Sequence, residues 1–493
     1  MPATPILGQA YVARSINFAD NRLVNMYAET APGDSKTVAA FFRCPGQVAR
    51  ATITGQTGSE VRGLWVLKDY AYAVCGNGFF QIDSAFTVTQ ITGPNISGSG
   101  PVSMADNGTQ IFIACNPDGY IYDYDAETLV QITDPDFLGA VTVGYLAGSF
   151  IYNVPDSQLF QWTAITNGTD IDALDFASAE GAPDRLVALF VDHTEAWMMG
   201  EWSIEVYGAA DSTDNPYQRI QGAVIEQGCA AAFSIAKLDN SIFWLGRNKQ
   251  GDGIVFRANG YTPVPVTTRA IEYAIAQWPT LENAVAFSYV QEGHGFYVLT
   301  SPATEDWNGE TWVYDVTTQM WHQRAYLDPV TGELFSYRPR CFALFNRQHL
   351  VGDSGDGLTD TGKIYALDLD TYKDGDEYQK WLRSWRPIPP GQNNLNRTFQ
   401  HTLQIDMQTG TGLVTGQGSD PQVLLRWSDD GGHTWSNYHT TTMGAIGATA
   451  TRVFFRRLGS TEKLRDRVYE VSGTDPVKIA ITGAQLNLTG AAS

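Results

Sequence analysis

Ser428-Asp429-Asp430-Gly431-Gly432-His433-Thr434-Trp435 comes nearest, in residue type and spacing, to a chemical signature. It fits Ser-x-Asp-x-Gly-x-Thr-Trp at every fixed position: Ser428, Asp430, Gly432, Thr434 and Trp435. An Asp at that place accepts backbone N–H groups across a turn, Gly supplies a positive φ, and Trp packs beneath the hairpin. The pattern predicts a tight turn that satisfies its own polar groups, an Asp box, rather than a bond-making centre. A concentration of positive charge follows it. Arg452, Arg456, Arg457, Lys463, Arg465 and Arg467 place six cations in sixteen residues, opposed by Glu462 and Asp466 alone. Two readings stand. The stretch is the solvated face of an edge hairpin, where Lys and Arg discourage stray strand pairing. Or it docks an acidic partner, a neighbouring copy of this chain included.

Other candidate chemistry falls short of what its mechanism needs. Glycoside hydrolysis takes two placed carboxylates, and sialidases use a Tyr nucleophile with arginines on the substrate carboxylate. Asp boxes occur in sialidase-like propellers away from the catalytic centre. This chain carries one box, and Arg386-Pro387-Ile388-Pro389 is only loosely similar to the sialidase Arg-Ile-Pro element. Gly352-Asp353-Ser354-Gly355 resembles a serine-protease nucleophile segment, but no His-bearing partner segment accompanies it. No nucleophile elbow or P-loop is present. Asp353, Asp356 and Asp360, and separately Asp118, Asp123 and Asp125, are acidic turns that calcium would favour. Neither fits an EF-hand, since the twelfth position from Asp353 is Ile364. The seven His lack zinc-site spacing. No catalytic, cofactor-binding or metal-ligating residue is assigned, and no cofactor is expected.

The elements that must position these residues read as short antiparallel strands. Gly63-Leu64-Trp65-Val66 leads to Tyr72-Ala73-Val74-Cys75, a Gly76-Asn77-Gly78 turn and Phe79-Phe80-Gln81-Ile82. Gln110 to Ala114, turn Asn116 to Gly119, and Tyr120-Ile121-Tyr122 repeat the unit. Further copies run through Tyr145–Trp162, Leu186–Tyr207, Ile242–Phe256, Phe296–Asp315 and Leu350–Leu367. Their alternation and turn chemistry predict hairpins, and a spacing of roughly 40–55 residues is that of propeller blades. The fold class is therefore all-β. It has a degenerate β-propeller-like body of six or seven units over residues 51–375, without a repeated WD or kelch signature. A run of sandwich hairpins is the alternative for the body. Thr268–Gln277 has helical spacing. Residues 376–493, entered through the Pro/Gly/Asn-rich stretch from Arg386 to Asn394, read as a smaller C-terminal β-sandwich. Residues 1–50 read as an extended segment, either a strand joining the body or an interface arm.

Bulk composition agrees. The 493 residues are 43% hydrophobic, 12% aromatic and only 17% charged, which is folded β-rich composition. Net charge is −21 and the isoelectric point about 4.6, which disfavours general nucleic-acid binding. The charge is uneven. Residues 376–493 hold 12 Lys and Arg against 10 Asp and Glu, net +2, leaving 20 against 43, net −23, for the rest. Five scattered Cys suggest buried thiols in a reducing compartment. No apolar run approaches a membrane span and no signal peptide is evident, so a soluble protein made in the cytosol is expected.

Both ends resemble a known family. Ala13-Arg14-Ser15-Ile16-Asn17-Phe18-Ala19-Asp20, Val24-Asn25-Met26-Tyr27-Ala28-Glu29 and the Cys44-Pro45-Gly46 turn are similar to the opening of packaged-DNA stabilisation proteins of short-tailed phages, also called tail nozzle or hub proteins. Val102-Ser103-Met104-Ala105, Val453 to Gly459, Val468-Tyr469-Glu470-Val471 and Pro476 to Leu486 match later segments in order. The resemblance implies a non-enzymatic virion protein of the tail, assembled as a homo-hexameric ring below the head–tail adaptor. It further implies that such a ring extends and closes the DNA channel, retains the packaged genome and docks tail fibres, spikes or a needle or plug. Double-stranded DNA would pass through the lumen without sequence-specific contacts, and an acidic lumen would let it slide. The rival reading is a glycan-binding or glycan-cleaving propeller acting in receptor recognition.

Overall fold

The computed structural model describes residues 3–490 except 32, 34, 36, 55–59, 211–214, 248–250, 252, 355–361, 389–396 and 463–465. The strand Tyr70–Cys75 shows why these sequences make blades. Tyr72 and Val74 point one way, into a cluster with Ile111, Ile113 and Tyr122 of the next hairpin set. Ala71, Ala73 and Cys75 point the other way, against Leu350, Ile364 and Ala366. With period-2 side chains, a strand buried on both faces must be flanked by sheets on both sides. Large residues on one face and small ones on the other let wedge-shaped sheets pack round an axis.

Seven such blades occur among the described residues: five are separate sheets of four antiparallel strands in sequence order, the sixth is the first four strands of a larger sheet, and the seventh has three consecutive strands and borrows its fourth. They begin at Val61–Leu67, Ser103–Asp106, Val143–Leu146, Leu186–Asp192, Ala236–Leu238, Val285–Gln291 and Pro339–Phe345. The last of these inner strands packs against the first, so the propeller is closed. Closure depends on the N-terminus. The outer strand of the seventh blade is Gly46–Thr52, antiparallel to Lys363–Asp368. Among the described residues one α-helix, Arg269–Ile275, lies where helical spacing was read. Thr268 caps it by accepting the Ile271 N–H.

The C-terminal residues form a sandwich of two sheets, and residues 3–43 belong to it. One sheet runs in the order Val453–Arg456, Thr398–Met407, Ala480–Gly490, Ala39–Arg43, Met26–Thr30, with Ala3–Thr4 also on Ala480–Gly490. The other runs Leu23–Val24, Trp381–Trp385, Val468–Gly473, Gln422–Ser428, His439–Thr442. Val24 pairs in parallel with Gln323 of the sixth blade while Leu382 takes its other side, so this sheet continues into the propeller. The core is likewise continuous. Leu403, Ile405, Val423, Leu425 and Val471 of the sandwich share one cluster with Phe243, Ile271, Trp312 and Trp321 of the body.

Candidate functional site

The turn from Ser428 to Trp435 is closed by its own side chains. Asp430 Oδ1 accepts from Ser428 Oγ at 2.6 Å and from the Thr434 N–H at 2.9 Å, and Oδ2 accepts from Thr434 Oγ1 at 2.7 Å. Ser428 Oγ accepts the Gly432 N–H at 2.8 Å. These donors hold the Asp430 carboxyl well below the usual carboxylate range. Gly432 has φ +113°, and Trp435 lies half-buried under the Arg426 guanidinium, 4.6 Å from ring centre to carbon. The tip of the box presses on the N-terminal loop. A methyl added at Gly431 would come within 2.5 Å of Asn17 Oδ1, and one at Gly432 within 2.8 Å of Asp20 Oδ2. The box therefore packs closely against Asn17 and Asp20.

The six cations of the basic stretch part company. Arg452, Arg456 and Arg457 are exposed at the edge strand Val453–Arg456, which pairs only with Thr398–Met407 among the described residues. Arg452 and Arg456 flank the Phe454 ring at 5.4 and 5.1 Å, and Arg452 donates to Gln404 Oε1. Lys463 and Arg465 lie outside the described residues. Arg467 differs from the expectation of a surface patch. It is buried, with a bidentate pair to Asp429 at 2.6 and 2.7 Å and a bond from Nη1 to Leu458 O at 2.7 Å. Its neighbour in sequence is the strand Val468–Gly473, whose faces are both covered, and Asp429 at the Asp box supplies the counter-charge. The paired carboxylate raises the Arg467 pKa against burial.

The remaining motif residues are engaged as well. Arg386 pairs with Asp466 and donates to Ile16 O at 2.7 Å. Asp353 is buried and takes both forks of Arg338, at 3.0 and 2.7 Å. Asp356 and Asp360 lie outside the described residues. Asp123 accepts N–H groups of its own turn, from Asp125 at 3.1 Å and Ala126 at 2.9 Å. Among the described residues no cluster of three His, Cys, Asp or Glu is placed to hold a metal ion, and no helix is long and apolar enough to cross a membrane.

What sequence reasoning missed is the joint between the bodies, where three arginines are buried. Arg43 donates from Nε to Gln379 Oε1 at 3.1 Å, from Nη1 to the Asp475 and Val477 carbonyls at 2.6 and 3.2 Å, and from Nη2 to Tyr372 O at 3.2 Å and to Gln379 O. Arg383 donates to Ile6 O at 2.8 Å, and to Gln9 O and Arg22 O at 3.4 and 3.3 Å. Arg324 donates to Pro45 O at 2.9 Å and stacks over Tyr337 at 4.0 Å. A guanidinium has five donors in a rigid fork, so one side chain can satisfy carbonyls from several strand ends. Burial pushes Arg43 down to about 10 and Arg383 to about 9, so both stay charged at neutral pH. Burial raises Asp374, which accepts from Gln47 Nε2 at 3.1 Å and Gln379 Nε2 at 3.3 Å.

Asn25 is the turning point of the joint. Its φ is +53°, a region Asn tolerates better than most residues. Its Nδ2 donates to Ala325 O and Lys380 O, both at 2.8 Å, and its Oδ1 accepts the Ala325 N–H at 3.0 Å. Its carbonyl accepts the Cys44 N–H at 3.0 Å. Val24 thus ends in the sheet shared with the sixth blade, and Met26 starts in the opposite sandwich sheet. The signal was present in Val24-Asn25-Met26 and Cys44-Pro45-Gly46, but no local rule said what those residues touch.

A propeller closed by its own N-terminal strand and fused through a shared sheet to a β-sandwich defines a two-domain, all-β scaffold protein. Residues 2–372 match the family described as Bacteriophage P22 Gp10, beta-propeller, and residues 389–489 match Bacteriophage P22 Gp10, beta-sandwich. The chain belongs to this Gp10 family of phage tail structural proteins, components of the virion tail. No match to an individually curated protein was found. Solved structures sharing some of its shape include the computationally designed Ika8 protein (10% identity, TM-score 0.39, covering 65% of this chain and all of that one). Another is the extracellular domain of the hybrid two component system BT4673 from B. thetaiotaomicron (9% identity, TM-score 0.43, 81% of this chain and 47% of that one).

Proposed function

We propose that copies of this chain form a six-fold ring below the head–tail adaptor of the phage, extending the DNA channel, retaining packaged DNA and presenting surfaces to tail fibres or spikes. The observation that carries this reading is the joint. Arg324 and Asn25 tie the acidic propeller to the near-neutral sandwich, while Arg43 and Arg383 lock the strand ends beside the joint, which suits a ring subunit that must hold its geometry under load. A ring needs two different patches per subunit. The exposed edge of Arg452, Arg456 and Arg457 is one candidate, with the acidic body of the neighbouring copy, net −23 over residues 1–375, as its counterpart. The propeller axis holds a cavity of about 490 Å³, room for a small molecule and not for a duplex. In this reading the DNA lumen lies between copies, and acidic surface faces it so that phosphates are repelled rather than gripped. The role is geometric and non-enzymatic.

The test is reconstitution on adaptor-bearing particles, imaged by electron microscopy. Wild-type chain is expected to form six-fold rings, and Arg456→Glu with Arg457→Glu to lose them at physiological salt. Rings that survive the double reversal would remove the basic edge from the interface. Hydrolysis of a polysaccharide or sialoside by the purified chain would overturn the non-enzymatic role.

A further inference from the structure

The inner strands of the blades enclose the axial cavity, and most of its wall is apolar, including Leu64, Val102, Met104, Leu189, Phe287 and Phe342. At about 490 Å³ it falls within the ~300–1,000 Å³ common for small-molecule pockets. Two arginines stand in this wall, Arg62 and Arg340, and their situations differ. Arg62 donates from Nε to Gly100 O at 2.6 Å, from Nη1 to Gly76 O at 2.9 Å and from Nη2 to Ser97 O at 2.9 Å. Its fork is used up by backbone carbonyls.

Arg340 makes no hydrogen bond and no ion pair among the described residues, and its Nε is enclosed without an acceptor. The two carboxylates that act on it through space make their hydrogen bonds to other groups. Asp353 holds Arg338. Glu60 Oε1 accepts the Gly100 N–H at 2.9 Å. Arg340 as a whole is half-buried, and an enclosed guanidinium Nε without an acceptor is costly. It is also anomalous in a chain with 53 acidic residues against 32 basic ones. Burial lowers the Arg340 pKa, with Glu60 and Asp353 acting in the opposite sense through space.

We propose that the axial cavity is a binding site for an amphiphilic organic carboxylate, whose carboxylate takes the Arg340 fork and whose hydrocarbon part lies against the apolar wall. Bidentate pairing is the natural use of an unoccupied guanidinium. The apolar lining favours a ligand with a hydrocarbon body over a hydrated inorganic anion, which would keep its water against Leu64 and Phe342. The carboxylate could belong to a free acid or to the apolar C-terminus of a polypeptide, and the chemistry is shared.

Isothermal titration of the full chain with octanoate, n-octanol and octylamine tests this. A second arm uses a hexapeptide ending in leucine, as free acid and as amide. Octanoate or the free-acid peptide is expected to bind at least about tenfold tighter than its uncharged counterpart, the gain of one charge-assisted bidentate pair. Preference for the peptide assigns the carboxylate to a chain end; preference for octanoate assigns it to a free acid. Arg340→Met should abolish the preference and, without ligand, melt no lower than wild type. Arg340→Lys should keep part of it. Equal binding of octanoate and octanol by wild type would overturn the proposal. So would undiminished octanoate binding by Arg340→Met, or ligand-free destabilisation in both variants.

Discussion

Replacing Asn25 by Ala is expected to be among the most damaging single changes in this protein. Asn25 is fully buried. Truncation leaves Ala325 N–H, Ala325 O and Lys380 O without their side-chain partner. An unsatisfied buried polar group costs ~1–3 kcal/mol, and a non-glycine residue without Asn's local bonding costs ~1–2 kcal/mol at φ +53°. Allowing for partial relaxation, the loss should be about 5 kcal/mol. Asn25→Gly loses the same hydrogen bonds but removes the backbone strain, so it should recover about 1 kcal/mol relative to Ala. The pair of variants therefore separates the two causes. Urea unfolding followed by tryptophan fluorescence is a suitable assay because Trp321, Trp381 and Trp385 are fully buried in the core that spans the joint. Calorimetry should show the propeller and sandwich transitions drawing apart in Asn25→Ala. A loss below about 1 kcal/mol, or a Gly variant less stable than the Ala variant, would refute the assignment of Asn25 as the pivot.

Three further outcomes follow from the same contacts. Arg467→Ala should destabilise the sandwich by about 3 kcal/mol in urea, because it strands Asp429 in a mostly buried position. His294 Nδ1 lies 2.8 Å from Asp315 Oδ2, which raises the His pKa while the pair lowers that of Asp315. The histidine's contribution is thus full below about pH 6.5 and is lost as pH rises through its raised pKa. Relative to wild type, His294→Gln should lose stability at pH 6 and less at pH above about 8, measured by melting in matched buffers. Burial pushes Cys44 and Cys229 up to about 11 and Cys75 and Cys341 to about 12, and raises Cys115. Native protein should therefore resist Ellman's reagent at pH 8, and urea should release five reactive thiols.

Much of the fold was legible because its signals are local. A hairpin is written in adjacent residues: alternating apolar positions, then Gly, Asn or Asp at a turn that needs their backbone freedom. That is why the blades from Val61 to Asp368, the helix within Thr268–Gln277 and the turn from Ser428 to Trp435 could be placed from residue order. The box even shows its polarity in sequence, since Ser428, Asp430 and Thr434 lie within hydrogen-bonding reach of one another. Charge asymmetry between residues 1–375 and 376–493 is likewise a property of order alone.

Tertiary structure decided what pairs across hundreds of residues. Gly46–Thr52 closes the seventh blade against Lys363–Asp368, and Val24 stitches Gln323 to Leu382. Strand partners at such separation are chosen by which open edge the folded body presents, and no turn between them records the choice. Burial of charge was hidden for the same reason. Arg467 reads like Arg456 in sequence, yet Asp429 and the carbonyls of Leu458 and Ser460 surround only the first. Arg43, Arg324 and Arg383 look like surface cations until the sheets enclose them. A guanidinium's environment is set by where carbonyl ends and carboxylates converge in space, and that convergence exists only once the chain has folded.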